Sequence, residues 1–165
     1  MESINDQRTS LRFAKIKFDP VNQQNGLLSL RDFKKGATIS HFAAAETLPH
    51  PSRYTVQVGD DKHIILSPLF LEYINHSCSP NCFFDTTNFV LRALSDIQAG
   101  EEFCFFYPST EWSMEEAFDC HCGSSECLGF IQGAQYLPEE IMSRHQFTDF
   151  IRRKLQKEHQ HVFGI

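Results

Sequence analysis

The sequence predicts a mainly β protein of short strands joined by tight turns, and three observations carry that expectation. Apolar and polar residues alternate with period two through stretches such as Tyr54-Thr55-Val56-Gln57-Val58. Turn-forming clusters recur at short intervals, at Lys34-Lys35-Gly36, Gly59-Asp60-Asp61, Asp85-Thr86-Thr87-Asn88 and Asp96-Ile97-Gln98-Ala99-Gly100. No strand–helix–strand repeat is present, and the glycines form neither a GxGxxG nor a P-loop, which disfavours a doubly wound nucleotide-binding sheet. At 165 residues the chain fits one domain, or one domain with an appendage.

Taken in order, Gly26-Leu27-Leu28-Ser29-Leu30 and Thr38-Ile39-Ser40-His41-Phe42 are strands flanking the Lys34–Gly36 turn. Tyr54–Val58 and Lys62-His63-Ile64-Ile65-Leu66 form a hairpin around Gly59-Asp60-Asp61. Ser67-Pro68 opens a short helix, with Ser as N-cap and Pro at the first helical position. A second hairpin runs from Phe83-Phe84 through Asp85–Asn88 to Phe89-Val90-Leu91-Arg92-Ala93-Leu94. Glu102-Phe103-Cys104-Phe105-Phe106-Tyr107 is a further strand. Ser113-Met114-Glu115-Glu116 has the spacing of a capping box and predicts one or two helical turns. From Pro138 to about Lys157, Ile141, Phe147, Phe150, Ile151 and Leu155 recur at helical spacing, opposite Glu139, Glu140, Arg144, Arg152, Arg153 and Lys157. This predicts one amphipathic helix docked on the core.

The composition, 41% hydrophobic and 22% charged, excludes wholesale disorder. No run reaches the roughly 18 apolar residues of a membrane span, so no membrane association is expected. Met1-Glu2-Ser3-Ile4-Asn5-Asp6 has neither a basic nor an apolar leader segment, which predicts an intracellular protein, cytoplasmic or, in a eukaryote, nuclear. A formal charge of −6 argues against a broad nucleic-acid surface and suits a basic partner. The 16 phenylalanines read chiefly as core, with an aromatic-lined channel as the sharper alternative for a few of them.

Six cysteines in a chain expected to meet a reducing compartment point to metal ligation rather than a disulfide framework. Cys120-His121-Cys122-Gly123-Ser124-Ser125-Glu126-Cys127 places three thiolates in one short turn-rich segment. Zinc takes about four ligands in a tetrahedron, so a fourth group must come from elsewhere. Cys78, Cys82, Cys104 and His121 are the candidates on spacing; Cys104, mid-strand among aromatics, reads better as a buried thiol. A metal here couples binding to folding, so chelation is expected to unfold the region after Glu115.

Asn75-His76-Ser77-Cys78-Ser79-Pro80-Asn81-Cys82 packs amide, imidazole, hydroxyl and thiol groups into one turn between apolar segments. It resembles the NHSCxPNC signature of SET-domain protein lysine methyltransferases. Arg92, Ile97, Gly100-Glu101-Glu102-Phe103 and Tyr107 resemble that family's second signature block, and Cys120-x-Cys122-x4-Cys127 with Gly129 resembles its post-SET zinc motif. Gly26-Leu27 through Phe33-Lys34-Lys35-Gly36 and Ile39 is similar to its N-terminal strand pair. The motifs lie in family order and cover roughly residues 20–131.

The resemblance implies a SET fold of short curled sheets, a knot-like threading of the Asn75–Cys82 segment, one structural zinc ion and a C-terminal helix. It implies an N-terminal extension at 1–19, a SET domain at 20–110, a post-SET zinc segment at 111–132 and a C-terminal helical segment at 133–165. It assigns S-adenosylmethionine binding to Asn75, His76 and the backbone at Gly26-Leu27, with Tyr107 where cofactor and substrate lysine meet. Tyr107 and Tyr54 are the implied catalytic tyrosines; Phe105, Phe106 and Tyr54 the implied substrate channel, with Trp112 nearby. Cys78 is the implied fourth zinc ligand beside Cys120, Cys122 and Cys127. Phe105 occupies the position at which Phe leaves room for di- or trimethylation.

The chain departs from the family pattern at Glu72, where Arg is common, at Gln24, where Gly is usual, and at Phe106, where an acidic residue usually precedes the tyrosine. The expected activity is S-adenosylmethionine-dependent methylation of a protein lysine on a basic substrate protein or peptide. The alternative is a catalytically weak or inactive module that binds a basic peptide or partner. Methyl transfer to an amine needs an uncharged nucleophile, and a narrow aromatic channel favours that form by desolvating the ammonium.

Overall fold

Most elements are two to six residues long, because nearly every strand meets a Gly, Pro or Asx turn before it can extend. The structure, a computed structural model, describes residues 12–163. Residues 1–11 of the expected N-terminal extension, and the last two residues, lie outside the described residues.

Strand β1 (Ala14–Asp19) pairs antiparallel with β2 (Gln24–Ser29), from Ala14 opposite Ser29 to Asp19 opposite Gln24. The sequence reading places β1 in the extension of residues 1–19, but this pairing makes it part of the folded body. The Asp19 side chain closes the turn by accepting from the Val21 N–H and the Asn22 amide. A three-stranded sheet follows the order β4 (Ala43–Leu48), β6 (Lys62–Ser67), β5 (Val56–Gly59). The predicted hairpin at Asp60-Asp61 is present, although its first strand begins at Val56 and leaves Tyr54 in the preceding loop. A single 3-10 turn, Leu69–Tyr73, occupies the place of the short helix predicted at Ser67-Pro68.

The central sheet has the order β3 (Thr38–His41), β9 (Val90–Ala93), β8 (Cys82–Asp85), β10 (Cys104–Phe105), β7 (Asn75–His76). The predicted 83–94 hairpin is β8–β9. β10 lies between β7 and β8 and runs parallel to both, with Phe105 opposite His76 on one side and Cys82 on the other. The loop joining β7 to β8 therefore crosses over β10, which is the threading expected from the resemblance. Asn81 clamps the crossing: its Oδ1 accepts the Cys104 N–H at 2.9 Å and its Nδ2 donates to the Glu102 carbonyl at 2.9 Å. A side-chain amide thus completes hydrogen bonds that a continuous strand would otherwise make.

Phenylalanine fills the main core. Phe33, Phe42, Phe70, Phe84, Phe103 and Phe105 pack with Leu27, Ile39, Leu66 and Leu91. Phe84 meets Phe42 at 5.5 Å and Phe105 at 4.9 Å, both edge-on. A second core joins Phe106, Ala134, Phe147, Phe150 and Ile151.

Two helical expectations need correction. Residues 113–116 form no helix, because the Met114 N–H donates to the Gln132 carbonyl at 3.0 Å and ties the segment to a neighbouring strand-like stretch. β11 (Phe118–Asp119) and β12 (Phe130–Ile131) continue that pairing. The single helix predicted from Pro138 to Lys157 is instead α1 (Glu139–Met142) and α2 (Asp149–Phe163). Thr148 starts the second: its Oγ1 accepts the Ile151 N–H, and its own N–H donates to the Ser109 carbonyl at 3.0 Å instead of continuing a helix. α2 docks as expected, burying Phe150 and Ile151, and Lys154 reaches Asp60 at 2.8 Å and the Trp112 ring at 5.2 Å. Among the described residues no helix is long and apolar enough to cross a membrane.

Candidate functional site

Strand β7 ends at His76, and its imidazole sits where three chain segments converge. His76 Nδ1 accepts the Tyr107 backbone N–H at 3.1 Å, so the neutral ring carries its proton on Nε2, which lies 3.4 Å from Cys78 Sγ. Burial, with a further push from His145, holds the His76 pKa down to about 4, so the ring stays neutral at physiological pH. Around it stand the rings of Phe106 at 5.7 Å, Tyr107 at 5.1 Å and Phe118 at 5.5 Å.

The neighbouring Asn75 donates its Nδ2 to the Asn25 carbonyl at 2.9 Å and to Glu102 Oε1 at 3.0 Å. Gly26 makes this approach possible: a Cβ there would lie 2.5 Å from Glu102 Oε1 and 3.5 Å from Asn75 Nδ2. Leu27 is buried, and its carbonyl accepts the Phe103 N–H. Gly26 and Asn75 are thereby held side by side, although they come from different sheets.

Asn75 and His76 line a cleft of about 630 Å3, with Gln24, Asn25, Tyr54, Glu72, Tyr73, Phe105, Tyr107, Glu111 and Phe118; Gly26 and Leu27 stand behind its wall and do not line it. That volume suits a small-molecule or cofactor site. Tyr107 lies in a 3-10 turn, Tyr107–Ser109, at the end of β10. Its hydroxyl makes one long contact, to the Ile74 carbonyl at 3.5 Å, and burial raises its pKa, so the phenol stays protonated. Phe105 stands 4.6 Å from the Tyr107 ring. Tyr54 is 47% exposed, and the Arg53 guanidinium covers its ring at 5.6 Å. It therefore forms the rim of the cleft.

Phe106 is not in the cleft. Successive strand residues face opposite sides, so with Phe105 and Tyr107 toward the cleft, Phe106 turns into the second core and stacks on His145 at 3.8 Å. Trp112 packs on that core as well, its backbone N–H bound to Gln57 Oε1 at 2.9 Å. Of the three departures from the family pattern, Glu72 and Gln24 line the cleft and Phe106 does not. Burial pushes the Glu72 carboxyl up in pKa. The sequence reading missed Phe118, Glu111 and Tyr73 as cleft residues. Phe118 carries a readable signal, an aromatic just before the cysteine motif. Glu111 carries none beyond its spacing of four from Tyr107.

The sulfurs of Cys78, Cys120, Cys122 and Cys127 lie within 4.8 Å of one another, with Cys78 and Cys120 at 3.9 Å. A tetrahedral zinc–thiolate site puts its sulfurs about 3.8 Å apart, given a Zn–S bond near 2.3 Å. Burial pushes the Cys78 and Cys120 thiols up in pKa, so a cation is what would hold them together as thiolates. The donor set fits one zinc ion. Of the candidates left open by spacing, Cys78 joins the cluster. Cys82 is buried in β8 instead, and its Sγ donates to Asn81 Oδ1.

With this geometry in place, comparison with known proteins is informative. Residues 24–108 match the SET domain family. Methyltransferase flvH of Aspergillus flavus is 39% identical over 126 residues, covering 75% of this chain and 70% of that protein. An H3 lysine-4 specific histone-lysine N-methyltransferase of Emericella nidulans is 38% identical over 66 residues, 36% of this chain and 5% of that enzyme. An H3 lysine-36 specific enzyme of Aspergillus oryzae is 39% identical over 67 residues, 37% of this chain and 7% of the enzyme. Among solved structures, KRYPTONITE in complex with mCHG DNA and SAH superposes with a TM-score of 0.57 at 19% identity, over 72% of this chain and 29% of that one. Its complex with mCHH DNA, an H3(1-15) peptide and SAH gives 0.55 at 18%, with the same coverage. These superpositions show a shared fold.

Proposed function

Because this chain belongs to the SET-domain family, we propose that it transfers a methyl group from S-adenosylmethionine to a lysine side chain of a protein or peptide. The observation that carries the reading is the convergence of Asn75, His76 and Tyr107 on one cleft, with His76 joining the tyrosine to the cysteine cluster.

The cleft lining combines amide side chains, Gln24, Asn25 and Asn75, with aromatic rings, Phe105, Tyr107, Tyr54 and Tyr73. This combination suits a ligand that joins an amino-acid moiety to a nucleoside. Gly26-Leu27, Asn75 and His76 are the residues we assign to holding the cofactor, with Tyr107 at its reactive end. When bound, the cofactor supplies an electrophilic methyl group on a sulfonium. Phe105, Tyr107 and Tyr54 then enclose the substrate lysine and disfavour its ammonium form by desolvation. The Tyr107 hydroxyl, neutral and weakly engaged with Ile74, is free to accept an amine N–H and aim the lone pair. Acceleration comes from this alignment and from exclusion of water. Cys78, Cys120, Cys122 and Cys127 would hold the zinc ion, which fixes the segment bearing Phe118 against His76.

Glu72, Glu111, Glu115, Glu116 and Asp119 line the cleft against the single guanidinium of Arg53, and this imbalance favours a basic substrate segment. The relatives named for histone lysines are consistent with such a segment. Glu72 and Gln24 favour a second reading, a SET module that binds a basic partner without turnover. Calorimetric titration of zinc-loaded protein with S-adenosylmethionine and S-adenosylhomocysteine, followed by labelled-methyl transfer into lysine-rich protein, separates the two. Saturable one-site binding with label on lysine supports the enzyme. Absence of binding at millimolar cofactor, with the fold intact, leaves the module.

A further inference from the structure

We propose that Glu111 is the proton acceptor for the substrate lysine in this cleft, an inference that rests on the methyl-transfer reading above. A lysine reaches the cleft as an ammonium, and neither the neutral phenol of Tyr107 nor the hydrogen-bonded ring of His76 is placed to take its proton. His76 has its Nδ1 committed to the Tyr107 N–H and its Nε2 facing Cys78.

Glu111 follows Tyr107 by four residues, and its backbone N–H donates to the Tyr107 carbonyl at 3.1 Å. That closed turn sets the two side chains on the same side of the chain, both lining the cleft. The carboxylate is anchored from the opposite sheet, where Glu111 Oε2 accepts the Gln57 N–H at 3.1 Å. Gln57 is itself buried, and its Oε1 accepts the N–H of Trp112, the residue after Glu111, so the position is held from both sides.

The other cleft carboxylates are placed differently. Glu115, Glu116 and Asp119 are exposed on the rim. Glu72 stands on the 3-10 turn Leu69–Tyr73 instead. Glu111 is the cleft carboxylate carried on the same closed turn as Tyr107.

Its acidity suits the role. Glu111 is half-buried in the cleft wall, and desolvation there pushes its pKa up to about 7, partly offset by the hydrogen bond from the Gln57 N–H. A general base works best with a pKa near the working pH. In the step proposed, a lysine N–H bond breaks and the proton passes to a Glu111 carboxylate oxygen. The electron pair stays on nitrogen and becomes the nucleophile. After transfer, the Glu111 carboxylic acid returns its proton to water through the open end of the cleft. The other titratable and charged groups lining the cleft are Arg53 and Tyr54 before β5, Glu72 and Tyr73 in the 3-10 turn, His76 in β7, Tyr107, and Glu115, Glu116, Asp119, Cys120, His121 and Cys122 beyond. Of these, Arg53 is the permanent cation.

Glu111→Gln is the informative variant, because the amide oxygen still accepts the Gln57 N–H while the basic site is lost. The zinc-loaded protein is assayed with a lysine peptide and S-adenosylmethionine across pH, and S-adenosylhomocysteine affinity and melting temperature are measured beside it. The expected result is a fall in kcat of about 100-fold near neutral pH with KM for the peptide little changed. The variant's remaining rate should climb about tenfold per pH unit toward the lysine pKa near 10.4, while the wild type levels off above about pH 7. A Glu111→Gln protein with wild-type kcat and pH profile overturns the proposal. So does a wild-type kcat/KM profile without an inflection near 7, a result that needs no variant to fold. A wild type that binds no cofactor and transfers no methyl group overturns the functional reading as well. An active wild type indifferent to Glu111→Gln overturns this inference alone.

Discussion

The backbone N–H of Tyr107 donates to Nδ1 of His76 at 3.1 Å, across 31 residues of sequence, from the turn that follows β10 to the end of the parallel strand β7. This bond fixes the imidazole tautomer, aims Nε2–H at Cys78 and places the phenol beside the cleft, so the tyrosine and the cysteine cluster are set by one ring. It gives the predictions below a common physical basis.

Tyr107→Phe removes only the hydroxyl, whose sole contact is the 3.5 Å approach to Ile74. The expected outcome is a loss of methyl transfer of about 100-fold or more with the melting temperature almost unchanged. Steady-state kinetics with a lysine peptide and a thermal melt check the two halves. A large drop in stability would show that the hydroxyl holds the fold instead.

Cys78→Ser breaks the cluster at its one ligand from outside the 120–127 segment. Zinc content by atomic emission should fall from one ion per chain toward zero, and proteolysis should then cut within residues 111–132. Cys82→Ser and Cys104→Ser should retain the ion, since neither sulfur joins the cluster.

Phe105→Tyr adds a hydroxyl to a ring 4.6 Å from Tyr107, inside the space where a methylated ammonium would turn. Mass spectrometry of the product peptide should show the distribution shifted toward fewer methyl groups per lysine, with the first transfer retained. An unchanged distribution would place the methyl-accepting space elsewhere in the cleft.

Gly133 has a φ of +120°, and a Cβ there would meet the Trp112 carbonyl oxygen at 2.5 Å and Ser113 Cα at 2.9 Å. Both strain and clash are against backbone, which cannot swing aside. Gly133→Ala should cost about 2 kcal/mol or more, read from denaturant unfolding. Gly26→Ala is the contrast. Its Cβ strikes the tip of the Glu102 side chain, so the carboxylate moves away from Asn75 and the loss should appear in cofactor affinity more than in stability.

Glu111 also leaves a mark on stability. Its folded pKa, about 7, lies above the ordinary value of 4.5, so folding favours the protonated carboxyl. That contribution is complete below about pH 4.5 and is lost as pH rises through about 7. Comparing Glu111→Gln with wild type, the melting temperature difference should move in favour of the glutamine protein as pH rises from 4.5 to about 7, and level off above that. A difference independent of pH would mean that the carboxyl is not perturbed.

Much of the site was legible because its residues sit in short runs whose chemistry is local. Asn75-His76 and the Cys120–Cys127 cluster show their polar character in any alignment of residues along the chain, and the turn clusters mark the β8–β9 and β5–β6 hairpins. What sequence could not show depends on contacts made far away. The break between α1 and α2 follows from the Thr148 N–H finding the Ser109 carbonyl, and the missing helix at 113–116 from Met114 finding Gln132. Neither bond has a signature in local propensity. Phe106 is a different case, since strand alternation alone separates it from Phe105 and Tyr107. Composition drew attention to the aromatics as a group, and the period-two rule was needed to divide them.

The position of β10 has a consequence for how the protein is made. β7 and β8 precede Cys104 and Phe105 in the chain, so they cannot be joined into one sheet until β10 takes the slot between them. The slot can be filled only by chain that comes later and passes beneath the Ser77–Asn81 loop, with Asn81 waiting to receive it. The cleft therefore cannot mature segment by segment. Tyr107 enters with the strand that fills the slot, so the same insertion that completes the sheet delivers the tyrosine to His76.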